Sequence, residues 1–264
     1  MKHNLKITLI LILLFVLSQI VGLVITQKYL AEATQLPFGI ERPQIQPKET
    51  FIQIAIAITI TTALALLLVR FKGVGLWKLW FFLSIFFTLT ISFNAFFNQI
   101  ISIILAIVLS LFKVFKRNDF INNLTELFIY GALAALFVPI LDILWVTMLL
   151  LLISLYDAIA VWKTKHMVSL AKFQTKSRLF AGLHITYQKK KEAILGGGDI
   201  AFPLLFAGVV LKVAGILPAA IVVATTTLAL LFLFTIGKKN TYYPAMPFLS
   251  IGCFVGFLIA ALLI

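Results

Sequence analysis

The sequence is poor in cysteine and histidine, and each shortage excludes a class of function. A single cysteine, Cys253, excludes an intramolecular disulfide and any multi-cysteine metal site. Cys253 lies in an apolar stretch and is expected to be a small buried hydrophobic residue. The three histidines, His3, His166 and His184, all fall in polar segments, so the apolar segments lack a serine–histidine pair. No His-Glu-x-x-His pattern is present, which excludes the common zinc protease motif.

The sequence also lacks any stretch polar enough to form a soluble domain. Hydrophobic residues make up 62% of the chain and its mean hydropathy is +1.11, whereas soluble domains are about half apolar. A membrane-spanning helix needs about 20 mainly apolar residues. Nine such stretches are present: 7–26, 51–69, 79–97, 99–115, 124–139, 142–162, 199–216, 218–236 and 245–264. We therefore predict an all-α polytopic membrane protein with nine transmembrane helices. The first stretch has an alternative interpretation as a signal anchor.

The positive charges support this topology. If the amino terminus lies inside, 18 of the 22 Lys and Arg residues fall in inner segments and four in outer segments. This asymmetry is what the positive-inside rule expects, and it holds only for an odd number of spans. The net charge of +13 is therefore attributed to membrane orientation and anionic lipids, and not to nucleic-acid binding.

Two connections are long enough to hold structure of their own. The outer connection, 27–50, contains three prolines and is expected to form an extended or partly ordered cap. The inner connection, 163–198, carries eight basic residues. Met167, Leu170 and Phe173 would allow it to lie on the inner leaflet as an amphipathic segment, and a solvated basic loop is the equal alternative.

Acidic residues are scarce enough to be considered one by one. The polar connections hold Glu32, Glu41, Glu49, Asp119 and Glu192, and the ends of apolar stretches hold Glu126 and Asp142. Water or lipid headgroups are expected to reach all of these. Only Asp157 and Asp199 lie near one membrane face yet inside or bordering spans. An ionisable group near mid-bilayer costs roughly 2.5–3.5 kcal/mol on insertion scales, so both are candidates for function.

Asp157 and Asp199 could act together. They lie on consecutive spans joined by the inner connection, so antiparallel helices would bring them to a similar depth. Two close carboxylates share a proton; the ionised one can take a proton from water while the protonated one polarises a carbonyl. Such hydrolysis requires no metal or other cofactor. Taken singly, an intramembrane aspartate more often caps a helix or bonds to a neighbouring helix.

Two further segments flank this pair. The three glycines before Asp199 indicate either a flexible helix start or a place where another backbone approaches closely, as an extended peptide must before cleavage. Pro203 lies in the first turn of the next helix, which is therefore expected to begin at or just after Asp199. The segment 244–247 has two prolines that could simply start the last helix.

Together these motifs resemble one family. They are Tyr156-Asp157 in the sixth span, Gly196-Gly197-Gly198-Asp199 at the seventh, and Pro244-Ala245-Met246 followed by Pro247 at the ninth. The chain looks like an archaeal homologue of the presenilin and signal peptide peptidase family of Gly-x-Gly-Asp aspartyl proteases. Met246 stands where the family usually has leucine, a swap that conserves volume. The resemblance covers the whole topology, but the motifs lie within residues 156–247.

The resemblance implies an intramembrane aspartic endopeptidase that cuts transmembrane helices of membrane proteins or signal peptides. Asp157 and Asp199 would be the catalytic pair. The residues that shape the site or bind substrate would be Tyr156, Gly196, Gly197, Gly198, Pro244, Ala245, Met246 and Pro247. In this family an unwound substrate pairs as a strand near the glycine motif.

The topology and the motifs also predict how the chain is organised. A single membrane-embedded domain, 1–264, would hold spans one to five as a scaffold (1–140) and spans six to nine as the active-site part (141–264). The active site would face the cytoplasmic side of the cell membrane. Partners would be transmembrane-helix substrates and lipids; a homo-oligomer is possible and no accessory subunit is evident.

A transporter and an inactive scaffold remain alternatives. A proton- or cation-coupled transporter or channel would use the same carboxylates to bind cations, and it predicts polar residues spread over several spans. The clearest polar cluster elsewhere, Asn94, Asn98 and Gln99, is instead typical of an outer helical turn. A membrane scaffold that kept the motifs without activity is the second alternative.

Overall fold

Nine helices and one hairpin account for most of the chain. The computed structural model describes residues 4–31, 36–39, 46–70, 74–116, 118–164, 180–187, 191–237 and 243–263. In these residues the α-helices are α1 (Leu5–Ala31), α2 (Pro47–Arg70), α3 (Val74–Asn94), α4 (Gln99–Phe115), α5 (Asp119–Phe137), α6 (Ile143–Ala158), α7 (Gly198–Ala214), α8 (Ile216–Ile236) and α9 (Met246–Leu263). Two strands, β1 (Gly182–Tyr187) and β2 (Lys191–Gly196), form an antiparallel hairpin.

The predicted helical membrane fold is confirmed. Seven helical segments are long and apolar enough to cross a membrane by length and composition, when α6 is taken together with the π-helical turn Ile159–Lys163 that continues it. The other two helices, α4 and α7, have 17 residues each, a length of about 26 Å. A bilayer core of about 30 Å accommodates such a helix by local thinning. The hairpin is the one departure from all-α structure within the described residues.

Side chains and one glycine fix the helix ends. Asn98, Asn118 and Asp142 each precede a helix and accept a hydrogen bond from a first-turn amide, which satisfies a donor that has no partner inside the helix. In the polar cluster predicted to form an outer helical turn, Asn98 is therefore the cap of α4. Gly215 separates α7 from α8 with φ 92°, a conformation that a residue with a side chain rarely adopts.

Glycines also allow two pairs of helices to pack closely. A Cβ atom on Gly131 of α5 would lie 3.3 Å from the Cα of Gly22 on α1. On α9, Cβ atoms at Gly252 and Gly256 would lie 2.8 and 2.7 Å from backbone atoms of α8. Apolar side chains gain little from packing together in lipid, so close backbone approach and van der Waals contact hold such pairs together. Gly252 and Gly256 have the four-residue spacing typical of these contacts.

Helix α7 lies at the centre of the molecule. It packs against α1, α5, α6, α8 and α9, and its residues 203–211 are all buried. A helix apolar on every side is expected in the core of a bundle. Asp199 therefore lies near the start of the most enclosed helix of the protein.

The inner connection differs from both predicted forms where it is described. Its last part is the β1–β2 hairpin, which leads directly into the glycines before α7. The apolar residues on which the amphipathic prediction depends, Met167, Leu170 and Phe173, lie outside the described residues. The same holds for Glu32, Glu41, His3 and His166.

Candidate active site

Asp157 and Asp199 lie at the same end of two antiparallel helices. Lys212, in the last turn of α7, donates hydrogen bonds to the carbonyls of Pro139 and Leu141 just before α6, so the end of α7 lies beside the start of α6. From that level, Asp157 is about 24 Å along α6 and Asp199 about 20 Å along α7, at 1.5 Å per residue. The two aspartates are therefore at nearly the same level along the two helices.

Asp157 is bound by the start of α9. Its side chain is buried, and Oδ2 accepts a hydrogen bond of 3.1 Å from the amide of Met246. That amide is the first of α9 and has no partner within the helix, while Pro247 next to it has no N–H. Ala245 and Met246 are buried beside the carboxylate. The proline-flanked segment thus contacts Asp157 through its backbone.

Two further contacts hold α6 around Asp157. Ser154, one turn before the aspartate, shares a hydrogen bond of 2.7 Å with Ser250 on α9. The Tyr156 hydroxyl donates a hydrogen bond of 3.2 Å to Oγ1 of Thr62 on α2. Tyr156 therefore links α6 to α2, whereas Ser154 links it to α9.

Asp199 lies in the first turn of α7, which begins at Gly198, one residue before the start that the position of Pro203 predicts. The carbonyl of Gly197 accepts hydrogen bonds from the amides of Ile200 and Ala201. The buried side chain of Gln19 on α1 donates a hydrogen bond of 3.0 Å to the carbonyl of Ile200. We refer to residues 196–201 as the Asp199 turn. Gln19 fixes this turn to α1.

The glycines of the Asp199 turn are not equivalent. A Cβ atom on Gly196 would lie 3.2 Å from Oδ2 of Asp199, so a side chain there would press on the carboxylate. At Gly197 it would lie 2.8 Å from the hydroxyl of Tyr130 on α5. At Gly198 the nearest atoms belong to the Phe202 ring, 3.5 Å away, an ordinary contact. Close approach within the structure thus requires glycine at 197 and favours it at 196.

Helix α5 holds the outer edge of strand β1. The side chain of Asn123 donates to the carbonyl of His184 (2.8 Å) and accepts from its amide (2.9 Å). Asn122 donates to the carbonyl of Gly182, and Asp119 accepts from the amide of Thr186. These backbone groups would otherwise be unpaired edge groups. The edge of β1 is therefore occupied by side chains.

The opposite edge of the hairpin belongs to β2 and lacks side-chain partners within the described residues. Gly197 pairs with Ala181 through a 3.1 Å backbone hydrogen bond, and hydrogen-bonded pairs alternate along an antiparallel ladder. With the observed register, the backbone groups of Glu192, Ile194 and Gly196 point away from β1. Within the described residues, no hydrogen bond reaches these outward groups. This edge ends at the Asp199 turn.

Glu126 is buried, and the prediction that water or headgroups reach it was wrong. Its side chain is paired with Lys113 of α4 and also accepts a hydrogen bond from the Tyr130 hydroxyl. Glu126 is only 1% exposed and Lys113 only 7%. Hydropathy locates a residue along a helix but does not reveal a partner on another helix. Lys113, one of the charges that the predicted topology assigns to the inner side, is likewise buried and paired.

Sequence reasoning missed several residues around the site, namely Gln19, Asn122, Asn123, Tyr130, Ser154 and Ser250. A signal was present for some of them. Gln19 stands alone within an apolar run of α1, and a polar residue inside a span usually finds a partner. Ser154 and Tyr130 gave no such signal, because serine and tyrosine are common within membrane helices.

Comparisons with known proteins agree with the motifs. A family described as signal-peptide peptidase, presenilin aspartyl protease matches residues 12–264. Two solved structures of a presenilin family intramembrane aspartate protease, in space groups C222 and P2, are similar in fold. The first has a TM-score of 0.69 and 22% identity, covering 97% of this chain and 99% of that one. The second has a TM-score of 0.68 and 20% identity, covering 96% and 97%. Among curated protein sequences none matches significantly.

Proposed function

Because the chain belongs to the signal-peptide peptidase and presenilin aspartyl protease family, and is thus an intramembrane aspartyl protease, we propose that Asp157 and Asp199 are its catalytic pair. The observation that carries this proposal is the common level of the two carboxylates at one end of the antiparallel helices α6 and α7. The transporter alternative is not supported, since the family is one of proteases.

The two carboxylates divide the work of hydrolysis. They share one proton, because two close carboxylates do not both ionise readily. The ionised aspartate takes a proton from water as the water oxygen attacks the peptide carbonyl, and the protonated one donates to the carbonyl oxygen. Collapse of the tetrahedral intermediate returns a proton to the leaving amine. The Met246 amide orients the Asp157 carboxylate throughout.

The substrate is a transmembrane helix that unwinds before it is cut. In a helix the carbonyls are hydrogen-bonded internally, and in lipid they have no other partner. The outward groups of Glu192, Ile194 and Gly196 offer replacement partners to an extended segment, by strand addition to β2. Because β2 leads into the Asp199 turn, a strand added there reaches the carboxylates. The bound segment thus lies next to Gly196, Gly197 and Gly198.

The remaining assignments follow from topology and motif. The asymmetry of the positive charges supports an orientation in which the hairpin end of the bundle, and with it the site, faces the cytoplasmic side. Tyr156, on α6 and bonded to α2, shapes one side of the site. The segment Pro244–Pro247, at the start of α9, shapes another side. The motifs are all in one chain, so we propose activity without an accessory subunit; a homo-oligomer is compatible with this.

Purified protein in lipid vesicles, incubated with a single-span peptide substrate, tests the proposal. We expect cleavage within the span, located by mass spectrometry of both products, and loss of both products in Asp157→Asn and in Asp199→Asn separately. Folding of each variant is checked by thermal unfolding. Full cleavage by either variant would reject the pair, and ion flux without products would favour the transporter.

A further inference from the structure

A buried polar cluster lies beside the Asp199 turn and is not used by the hydrolytic steps above. It consists of Lys113 of α4 and Glu126 and Tyr130 of α5. Lys113 pairs with one carboxylate oxygen of Glu126, and the Tyr130 hydroxyl donates to the other. All three side chains are buried. Removing two charges from water is costly, and an apolar pair of similar volume is often as stable, so stability alone gives no reason for this cluster.

The cluster holds the Tyr130 hydroxyl against the Asp199 turn. A Cβ atom on Gly197 would lie 2.8 Å from this hydroxyl and 3.2 Å from Cε1 of the same ring. Gly197 has φ −63° and ψ −33°, which any residue can adopt. The requirement for glycine at 197 is therefore one of space, and Tyr130 occupies that space.

The position of Gly197 determines that of Asp199. The Gly197 carbonyl accepts the amides of Ile200 (3.2 Å) and Ala201 (2.9 Å), and its own amide donates to Ala181 before β1. Gly197 thus joins the hairpin to the first turn of α7. A displacement at Gly197 would move the carboxylate two residues further on.

The Tyr130 hydroxyl has a fixed orientation. A tyrosine hydroxyl has one proton, and here that proton is donated to Glu126. The hydroxyl therefore presents its oxygen, an acceptor, toward the Asp199 turn.

We propose that Tyr130, oriented by the Lys113–Glu126 pair, is a positioning residue that fixes the Asp199 turn through contact of its hydroxyl with Gly197. This proposal rests on the proposed function, because it matters for the reaction only if Asp199 is catalytic. It assigns a role to the scaffold helices α4 and α5 that the motifs do not include.

The first test is Tyr130→Phe, which removes only the hydroxyl. We expect kcat to fall about threefold to tenfold, as for loss of one hydrogen bond, with KM unchanged and the pH dependence of kcat displaced. The matched control is Tyr29→Phe, which removes a buried hydroxyl that donates to Ile91 (2.8 Å). Tyr29 lies near the end of α1, about 15 Å along the helix from Gln19, which binds the Asp199 turn. The control should lose similar stability but keep kcat and its pH dependence.

The second test is a double-mutant cycle. Gly197→Ala places a methyl group against the hydroxyl and should lower kcat by about tenfold or more, as overpacking does. In the Tyr130→Phe background the oxygen is absent, so Gly197→Ala should lower kcat less. The loss of kcat should be smaller than in the wild-type background by about threefold or more. Equal losses in both backgrounds would overturn the proposal, as would a Tyr130→Phe enzyme with wild-type kcat and pH profile.

Asp199→Asn, assayed alongside, distinguishes failure of the catalytic role of Asp199 from failure of the positioning role of Tyr130. If Asp199→Asn remains active, the proposed function fails whatever Tyr130 does. If Asp199→Asn is inactive and the cycle shows no coupling, only the role of Tyr130 fails. Should Tyr130→Phe fold too weakly for kinetic assays, its coupling with Gly197→Ala is read from the thermal unfolding midpoints of the four proteins of the cycle.

Discussion

The amide of Met246 donates a hydrogen bond of 3.1 Å to the Asp157 carboxylate, although the two residues are 89 positions apart in the chain. Met246 is the first residue of α9, and α9 packs closely on α8. The orientation of Asp157 therefore depends on how α9 is seated. This dependence leads to predictions about residues remote from the carboxylates.

The α8–α9 contact at Gly256 should affect catalysis. In Gly256→Ala the new methyl group would lie 2.7 Å from the Cα of Val222 and 2.2 Å from Oγ1 of Thr225. We expect a loss of about 1–3 kcal/mol in unfolding free energy, and a lower kcat because α9 shifts relative to Asp157. Gly75→Ala, where no atom of the described residues lies within 4 Å of the new methyl group, serves as control and should be neutral or slightly stabilising. A Gly256→Ala enzyme with unchanged stability contradicts the packing.

The Ser154–Ser250 hydrogen bond should couple α6 to α9. Hydrogen bonds between membrane helices contribute about 0.6 kcal/mol on average, with a maximum near 1.7. Ser154→Ala and Ser250→Ala should each reduce the free energy of unfolding by about that amount, and the double variant by little more than either. Ser110→Ala removes a hydroxyl whose hydrogen bond is within its own helix. Its effect on the free energy of unfolding should add to that of Ser154→Ala and to that of Ser250→Ala. Additivity of Ser154→Ala and Ser250→Ala would argue against the bond.

Removing one partner of the buried Lys113–Glu126 ion pair should lower the free energy of unfolding much more than replacing both partners. Lys113→Met leaves Glu126 charged and unpaired, which typically costs about 3–5 kcal/mol. The double variant Lys113→Met/Glu126→Gln removes both charges and keeps an acceptor for Tyr130, so most of that stability should return. Denaturant unfolding in detergent measures both. Similar losses of unfolding free energy in the single and double variants would show that the unpaired charge of Glu126 is not the cause of the loss.

The outward edge of β2 should be sensitive to loss of one amide. In Ile194→Pro the outward N–H disappears while the bonds between β1 and β2 remain, since proline is tolerated at an exposed edge. We expect KM for a single-span substrate to rise about threefold to tenfold, as for one lost hydrogen bond, with less effect on kcat. Ile194→Val keeps the amide and should resemble wild type. If Ile194→Pro binds substrate normally, the strand is not added at this edge.

Hydropathy predicted the helices well but placed their ends less well. The nine apolar stretches correspond to the nine helices because an apolar run of span length in lipid has no other way to satisfy its backbone. Helix α5 begins at Asp119 and not at 124, since Asn118 caps it and its polar first turns bind the hairpin. Helix α3 similarly starts at Val74, before its apolar run begins. Backbone hydrogen bonding continues past the limit of the apolar segment.

The hairpin could have been predicted in part. Leu183, Ile185 and Tyr187 alternate with polar residues, which is a strand signal, but the high positive charge of the connection favoured a loop. The partner strand has no such alternation. The outer edge of β1 is bonded by α5 side chains that are more than fifty residues away in sequence, and no local pattern indicates that.

The candidate site was only partly visible in the sequence. Asp157 and Asp199 stood out because charged residues are rare in spans, and that rarity is local information. Tyr130 and Glu126 contribute through contacts between helices, which hydropathy does not encode. Catalysis by the two aspartates stays a prediction until cleavage is measured.

The most direct test compares two Asp→Asn substitutions on the same helix. Asp142 caps α6 at its far end by accepting from the amide of Trp145 (2.9 Å), a bond that asparagine can still accept; Asp157 lies at the other end. In the vesicle assay, Asp142→Asn should cleave the single-span substrate at close to the wild-type rate, whereas Asp157→Asn should be slower by about a thousandfold or more, the scale of losing an acid–base group. Comparable cleavage rates for these two variants would contradict the assignment of Asp157 to the catalytic pair.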